Sequence, residues 1–234
     1  MNKRMYTPCW LLFTLVLSVG IAWDGMAQEN QFDPARWEED IQAFKKADQQ
    51  SPPQENGILF LGSSSIRMWD LDKHFPGKSY INRGFGGSHM EDVVYYADQI
   101  VLPYKPRLIF LYEGDNDIAG GKTPQRVLAD FQRLVNIVHH DLPNTEIVFL
   151  AIKTSPKRWD KHVPMRQANE LIQNYTRQFD FLHYLDTDAA LWGDGKKPNP
   201  NYFKNDMLHL NEKGYPIWTE LVNKFLQNQE ETES

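Results

Sequence analysis

Short polar segments of the 234-residue chain carry residue types that could together perform acyl transfer. Three consecutive serines, Ser63 to Ser65, follow an apolar run that ends at Gly62. A serine hydroxyl is a weak nucleophile and needs an adjacent base, which His209 could provide. Asp206 precedes this histidine by three residues, so one turn could place its carboxylate against the imidazole and hold the ring in one tautomer. These residues suggest a nucleophile, a base and an orienting carboxylate, without selecting one of the serines.

Acyl transfer also needs hydrogen-bond donors for the negative charge of the tetrahedral intermediate. The sequence offers a serine N–H at a strand-to-helix turn, a glycine N–H in the next glycine-rich segment and an asparagine side chain in "EGDND". Gly87 suits a position where the backbone must approach a substrate closely, because glycine has no side chain. The donors that such a reaction requires are therefore present.

The elements that must position these residues follow from the hydrophobic pattern. Continuous apolar runs, typical of strands covered on both faces, occupy residues 58–63, 80–87, 107–114, 146–153 and 181–187. Segments with helical spacing lie at 34–50, 91–104, 123–143, 167–179 and 211–227. The alternation predicts a parallel sheet with helices on both faces. Sites in such sheets lie at the carboxyl ends of the strands, where the polar segments gather.

Four blocks in the order "FLGSSSI", "NRGFGGS", "YEGDND" and "DMLH" resemble those of the SGNH, or GDSL-type, hydrolases. The resemblance spans about residues 56–220 and is specific because all four blocks occur in order. It implies a three-layer α/β/α sandwich with a flavodoxin-like, five-stranded parallel sheet. It also implies a serine esterase that works without a metal or other cofactor.

Carried over residue by residue, the resemblance implies that Ser64 is the nucleophile, His209 the base and Asp206 its orienting group. The backbone N–H groups of Ser64 and Gly87 and the side chain of Asn116 would form the oxyanion hole. One departure is Ser63, where the family usually has aspartate before the nucleophile. This change removes a charge but none of these roles.

The neighbouring residues have other interpretations. Spacing from Gly62 selects Ser64, and Ser63 and Ser65 are then predicted to be hydrogen-bonding loop residues. The segment "GDND" alone could be a calcium loop or a tight turn. A metal site could even be drawn from the following residues, although their spacing matches no ligand pattern: Asp115, Asn116, Asp117, Asp206 and His209. Residues 157–159, after the fourth apolar run, fit a surface loop better than the rim of a cleft.

The N-terminus has the pattern of a secretory signal peptide. A positively charged start precedes an apolar run at residues 10–23, and Gly25 and Ala27 are the small residues of a cleavage site. The alternative is a retained membrane anchor, but the run is shorter than the roughly 20 residues that a span needs. We therefore expect cleavage after Ala27 and a secreted or periplasmic protein with no stable membrane span after processing. Residues 28–56 would be an N-terminal helix and linker, and residues 57–230 the hydrolase domain.

Composition limits the possible partners. With 41% hydrophobic residues the chain can bury one sizeable core, and a net charge of −6 with no basic run argues against nucleic acid. The expected partner is a small-molecule or carbohydrate ester, and the sequence does not indicate an oligomeric state. We expect an esterase that removes small acyl groups, acetyl above all, from carbohydrate. The alternatives are a lysophospholipase or thioesterase of the same family and a non-catalytic glycan-binding protein on this fold.

Overall fold

The computed structural model describes residues 32–193 and 195–233, and its centre is a sheet of five parallel strands. The strands are β1 (Ile58–Gly62), β2 (Ile81–Gly84), β3 (Leu108–Tyr112), β4 (Glu146–Leu150) and β5 (Leu182–Leu185). They lie in the order β2-β1-β3-β4-β5, which is the flavodoxin-like order. The predicted five-stranded parallel sheet is therefore confirmed.

Eight α-helices are present in the described part of the chain. They are α1 (Glu38–Gln50), α2 (Ser64–Arg67), α3 (Leu71–His74), α4 (Met90–Ile100), α5 (Asp115–Ala119), α6 (Pro124–Asp141), α7 (His162–Thr176) and α8 (Tyr215–Glu233). Short 3-10 helices occupy Pro34–Trp37, Leu102–Tyr104, Pro156–Lys161, Ala189–Leu191 and Pro200–Tyr202. From Asp33 onward the described residues form one compact unit.

Two hydrophobic cores lie on opposite faces of the sheet, because successive side chains of a strand point to opposite faces. Leu59 and Leu61 of β1 pack into one core together with residues of α1, α4, α6 and α7. Phe60 belongs to the other core, which α3 and α8 cover. The architecture is thus a three-layer α/β/α sandwich, as predicted.

Phe60 anchors the strand that leads into the serine segment. Its ring lies 5.0 Å from that of Phe110, 5.3 Å from that of Trp69 and 5.6 Å from that of Phe75. Each of these side chains is almost fully buried. Truncation of such a residue to alanine costs about 3–5 kcal/mol. The position of Ser64, four residues further along the chain, therefore rests on a tightly packed aromatic cluster.

Several boundaries differ from the predicted ones. Helix α7 begins at His162 rather than at residue 167, and Pro164 lies in its first turn, where a backbone N–H has no intrahelical acceptor. Helix α8 begins at Tyr215 rather than at residue 211 and continues to Glu233, beyond the predicted end at residue 227.

The predicted signal peptide, residues 1–27, lies outside the described residues. Among the residues that are described, no helix combines the length and the apolar character needed to cross a bilayer. Helix α1 contributes Ile41, which is fully buried, to the core that it shares with α4, α6 and α7.

Candidate active site

The serine segment turns sharply at the carboxyl end of β1. Gly62 has a φ of +137°, and a Cβ at this position would lie 2.0 Å from the carbonyl oxygen of Tyr112. Only glycine fits this close approach between β1 and β3. The backbone N–H of Ser63 then donates to the same carbonyl at 3.2 Å, and Ser64 becomes the first residue of α2. The backbone of Ser63 is therefore tied to β3, while Ser64 occupies the first position of a helix.

Ser64, His209 and Asp206 form a continuous chain of hydrogen bonds. Ser64 Oγ lies 2.9 Å from His209 Nε2, and His209 Nδ1 lies 2.7 Å from Asp206 Oδ2. If Nδ1 carries the proton that faces the carboxylate, Nε2 is the acceptor that faces the serine hydroxyl. The structure therefore brings together the three residues predicted to be nucleophile, base and orienting group.

Asp206 is held ionised beside the imidazole. Its Oδ1 accepts the backbone N–H groups of Leu208 at 2.9 Å and His209 at 3.0 Å. Burial alone would raise the pKa of Asp206, but the bond from the His209 ring and the two backbone bonds outweigh it and lower the pKa below its ordinary value. The carboxylate is therefore charged over the pH range in which the histidine would act as a base.

The loop that carries Asp206 and His209 is tied to neighbouring segments. Met207 adopts a positive φ of 56°, which a non-glycine residue seldom does. Its carbonyl accepts the N–H of Lys157 at 2.9 Å, and the carbonyl of His209 accepts the N–H of Lys204 at 2.7 Å. These bonds hold the loop in the conformation that turns the imidazole toward Ser64.

The three predicted oxyanion donors come from three different loops at this edge of the sheet. The N–H of Ser64 opens a helix and so has no intrahelical acceptor. Gly87 is exposed and has a φ of +82°, and a Cβ there would lie 3.3 Å from the Trp37 ring. Asn116 uses one hydrogen of its Nδ2 to bond the Ser88 carbonyl at 3.0 Å. An amide has a second N–H on the same nitrogen, so Asn116 retains a donor for a ligand.

Arg158 contacts the candidate site, so the prediction of a surface loop at residues 157–159 is wrong for this side chain. Its Nη2 donates to Asn116 Oδ1 at 2.8 Å, and its Nη1 lies 3.1 Å from Asp115 Oδ2. The side chain is only 20% exposed. The signal in the sequence was its place in the segment that follows the fourth strand, at the edge where the polar segments gather.

A buried ion cluster lies beneath Asn116. Lys153 Nζ bonds Asp115 Oδ2 at 3.1 Å and the Tyr112 hydroxyl at 3.0 Å, and the lysine side chain is 1% exposed. Burial raises the pKa of Asp115, but the charges of Lys153 and Arg158 overcome it and leave the pKa below its ordinary value. Asp115 is therefore an anion paired with two cations, and it structures the loop that carries Asn116.

Glu113 is a buried carboxyl that no motif in the sequence identifies. Ser88 Oγ lies 2.5 Å from Glu113 Oε1 and 2.9 Å from the carbonyl oxygen of Phe85, and Glu113 is fully buried. Burial and the nearby carboxylate of Asp117 raise the pKa of Glu113 well above its ordinary value, so the group is neutral at low and moderate pH. Asn116 in turn bonds the carbonyl of Ser88. Glu113 and Asn116 therefore connect the segment "YEGDND" to Ser88 at the end of the segment "NRGFGGS".

The flanking serines differ from expectation. Ser63 and Ser65 are buried, and their hydroxyls have no hydrogen-bond partner among the described residues. Their backbone groups do bond: the carbonyl of Ser65 accepts the hydroxyl of Tyr215 at 3.0 Å. Over residues 32–193 and 195–233, no cluster of three or more His, Cys, Asp or Glu side chains is arranged to hold a metal ion.

A cluster of aromatic rings begins at Trp159, the residue after Arg158. The Trp159 ring stacks on His162 at 4.2 Å and meets the edge of Trp192 at 5.7 Å. Beyond Trp192 lies a cavity of about 340 Å³ between α7 and the end of β5. The lining side chains include Arg166, Glu170, Gln173, Tyr184, Asp186 and Trp192.

Comparison with solved structures supports the fold. A Streptococcus pneumonia protein provisionally named a platelet activating factor superposes with a TM-score of 0.73 at 22% identity, covering 82% of this chain and 94% of that one. A GDSL-like lipase from Bacteroides thetaiotaomicron gives 0.66 at 17% identity, covering 84% and 98%. An acetylxylan esterase from Geobacillus stearothermophilus, solved as a catalytic mutant, gives 0.60 at 14% identity, covering 73% and 94%. At these identities the likeness concerns the fold.

The comparison with curated proteins gave no match. The model of the GDSL-like lipase/acylhydrolase family matches residues 64–217, which is well over half of the chain. That span begins at Ser64 and includes Gly87, Asn116, Asp206 and His209. The family match and the flavodoxin-like sandwich agree with the resemblance seen in the four sequence blocks, and the chain belongs to the GDSL-like lipase/acylhydrolase family, the SGNH hydrolases.

Proposed function

We propose that this protein is a serine esterase that hydrolyses carboxylic esters through an acyl-enzyme on Ser64. The observation that carries the proposal is the hydrogen-bonded chain from Ser64 Oγ through the His209 imidazole to the Asp206 carboxylate, at 2.9 Å and 2.7 Å. A serine hydroxyl becomes an effective nucleophile when a base lies within hydrogen-bond reach and a third group orients that base. This arrangement meets both conditions.

In the acylation step, Ser64 Oγ attacks the ester carbonyl carbon while His209 Nε2 takes its proton. Asp206 stabilises the resulting imidazolium through the bond to Nδ1. The carbonyl oxygen becomes an oxyanion that accepts hydrogen bonds from Ser64 N–H, Gly87 N–H and the second N–H of Asn116 Nδ2. When the intermediate collapses, His209 returns its proton to the alcohol oxygen, the C–O bond breaks and the alcohol leaves.

Deacylation repeats these steps with water. His209 removes a proton from a water molecule that attacks the acyl-enzyme carbonyl, and the same donors hold the second oxyanion. Collapse of this intermediate returns the proton to Ser64 Oγ and releases the carboxylic acid. The free enzyme is restored without any redox change or metal step.

We propose that the substrate is a carbohydrate carrying small acyl groups, chiefly acetyl. The support is the cavity of about 340 Å³ whose lining includes Trp192, because the ring of Trp192 contacts that of Trp159, the residue that follows Arg158 in the chain. Charged and amide side chains line this cavity beside the Trp192 ring. Polar groups that bond hydroxyls and an aromatic face that contacts C–H groups suit a pyranose ring better than an acyl chain. The proposal is also supported by the acetylxylan esterase that has the same fold.

We also propose that residues 1–27 direct the protein out of the cytoplasm and are removed, which leaves a secreted or periplasmic enzyme. The support is the order of a positive start, an apolar run and small residues at the cleavage position. Export would place the enzyme where polymeric carbohydrate is found.

The function can be tested with purified protein and its Ser64→Ala variant. We expect hydrolysis of p-nitrophenyl acetate to exceed that of the butyrate and octanoate esters, and acetate to be released from acetylated xylan. Ser64→Ala should lose at least about 10³-fold in kcat, since the nucleophile has no substitute. Retained activity in this variant would contradict the role of Ser64. Binding of acetylated xylan without any ester hydrolysis would instead support a glycan-binding protein, and a preference for octanoate would favour a lipid substrate.

A further inference from the structure

Arg158 lies between the two halves of the proposed catalytic machinery. Its guanidinium bonds Asn116 Oδ1 at 2.8 Å. The preceding residue, Lys157, donates its backbone N–H to the carbonyl of Met207, in the loop between Asp206 and His209. The segment that carries Arg158 therefore touches both the oxyanion donor and the loop of the base. The acylation and deacylation steps give Arg158 itself no role.

The contact with Arg158 decides which way the Asn116 amide faces. In the observed orientation Oδ1 accepts from the guanidinium and Nδ2 donates to the Ser88 carbonyl at 3.0 Å. The flipped amide would set N–H groups against the N–H groups of Arg158 and an oxygen against the Ser88 carbonyl. Both neighbours thus favour one orientation. In that orientation the second hydrogen on Nδ2 can donate to an oxyanion.

Arg158 also makes Asn116 a stronger donor. A hydrogen bond from a cation to the amide oxygen is charge-assisted and draws electron density from the amide nitrogen. The N–H groups of Asn116 then bind negative charge better than those of an amide exposed to water. The effect grows as charge develops on the substrate, so it stabilises the transition state more than the bound ester.

The guanidinium is itself held in place by Asp115. Its Nη1 lies 3.1 Å from Asp115 Oδ2, and Lys153 Nζ lies 3.1 Å from the same oxygen. Asp115 and Lys153 are both buried, so their positions are well defined by packing. A planar guanidinium can reach Asp115 with one nitrogen and Asn116 with another, which a single ammonium group cannot do with the same geometry.

We propose that Arg158 is a positioning residue of the oxyanion hole, which orients and polarises the Asn116 side chain for the esterase reaction. This inference rests on the proposed function, because it acts on the same oxyanion hole. The cluster of Arg158, Asp115 and Lys153 then has a role in catalysis as well as in stability, because it holds the side chain of Asn116 in one orientation.

The experiment is a double-mutant cycle measured with p-nitrophenyl acetate. We expect Arg158→Met to lower kcat about 10- to 100-fold with little change in KM, a smaller loss than the about 10²–10³-fold expected for removal of the donor in Asn116→Ala. In the Asn116→Ala background, adding Arg158→Met should change kcat by less than about twofold, because its target is gone. Arg158→Lys should fall between wild type and Arg158→Met.

A matched control is Arg133→Met, because this arginine is 66% exposed and pairs with Asp130 on α6. It should keep the wild-type kcat. Thermal melting of each variant separates loss of fold from loss of rate, and Arg158→Lys keeps the test open if Arg158→Met unfolds. An equal loss from Arg158→Met in both backgrounds, or no loss at all, would overturn the inference.

A second measurement is independent of turnover. In a two-dimensional ¹⁵N spectrum, the side-chain amide of Asn116 should give a pair of resonances shifted from those of exposed amides, and Arg158→Met should move them toward the exposed values. A wild type that hydrolyses no ester would contradict the proposed function, and these resonances would still decide whether Arg158 orients Asn116. Unchanged resonances in Arg158→Met would overturn the inference.

Discussion

Ser64 Oγ lies 2.9 Å from His209 Nε2, although 145 residues separate the two in the chain. The contact exists because β1 ends at the same edge of the sheet that the loop before α8 crosses. That loop is held from outside by the bond between Lys157 N–H and the Met207 carbonyl. The serine and the histidine are therefore positioned by separate elements, and the bond between them depends on the tertiary fold.

Removal of the base should be far more damaging than removal of its orienting group. We expect His209→Ala to lower kcat by roughly 10⁴- to 10⁶-fold and Asp206→Ala to lower it less. Since the groups act as a unit, the double variant should be little worse than His209→Ala alone. The measurement is kcat for p-nitrophenyl acetate in the two single variants and the double variant. Losses that multiply would mean that Asp206 does not act through His209.

The three consecutive serines should differ sharply. Ser64→Ala removes the proposed nucleophile, whereas Ser63→Ala and Ser65→Ala remove buried hydroxyls that have no hydrogen-bond partner among the described residues. Loss of an unpaired buried hydroxyl is close to neutral or slightly stabilising. We therefore expect both flanking variants to keep kcat within about threefold of wild type and to melt at the same temperature or above it. A large loss of kcat in Ser63→Ala with an intact fold would mean that Ser63 takes part in the reaction and would contradict the assignment of Ser64 alone as nucleophile.

Most of the fold could be predicted because apolar runs and helical stripes are local patterns. The period-2 alternation that sends Leu59 and Phe60 to opposite cores is concealed in a strand that is buried on both faces. Even so, the run itself was enough to identify β1. The start of α7 was missed because residues 162–166 contain a proline and no apolar stripe. The short helix α5 has too few residues to show any periodicity.

The candidate site also contains residues that the sequence predicts and residues that it does not. Ser64, Asp206, His209, Gly87 and Asn116 stand in short motifs with fixed spacing, so a single sequence reveals them. The residues that support this site do not stand in such motifs. Arg158 and Glu113 are single ionisable residues whose partners lie far away in the chain, 42 residues for the bond from Arg158 to Asn116 and 25 for that from Ser88 to Glu113. Only the folded arrangement shows that Arg158 contacts the proposed oxyanion donor and that Glu113 is buried next to Ser88, which also bonds Asn116.

Processing of the N-terminus gives a further prediction. If residues 1–27 are a cleaved signal peptide, the mature chain begins at Gln28 and contains no cysteine, because the single cysteine of the chain is Cys9. Mass analysis of protein recovered from the periplasm or medium should give the mass of residues 28–234. Its activity should be unaffected by thiol-modifying reagents. Recovery of the chain with Met1 retained in a membrane fraction would contradict cleavage.

The last prediction concerns Glu113, whose pKa is raised well above its ordinary value of 4.5 by burial and by Asp117. In the unfolded chain this carboxyl ionises near its ordinary pKa, while in the folded chain it stays protonated. Between these two pKa values the folded state binds more protons than the unfolded state, so this group makes the free energy of unfolding fall as pH rises. The slope for one proton is at most about 1.4 kcal/mol per pH unit.

Glu113→Gln removes this dependence, because glutamine remains neutral and its amide group can still form a hydrogen bond with the Ser88 hydroxyl. We expect the variant to gain stability relative to wild type as pH rises above about 4.5, with a constant difference below that pH. Urea unfolding at a series of pH values measures both curves, and Glu212→Gln, at a side chain that is 90% exposed, controls for the loss of one surface carboxylate. Parallel curves for wild type and Glu113→Gln would mean that folding does not raise the pKa of Glu113. Ser88 contacts both Glu113 and Asn116. In that case a neutral Glu113 could not be part of the network that positions the Asn116 side chain.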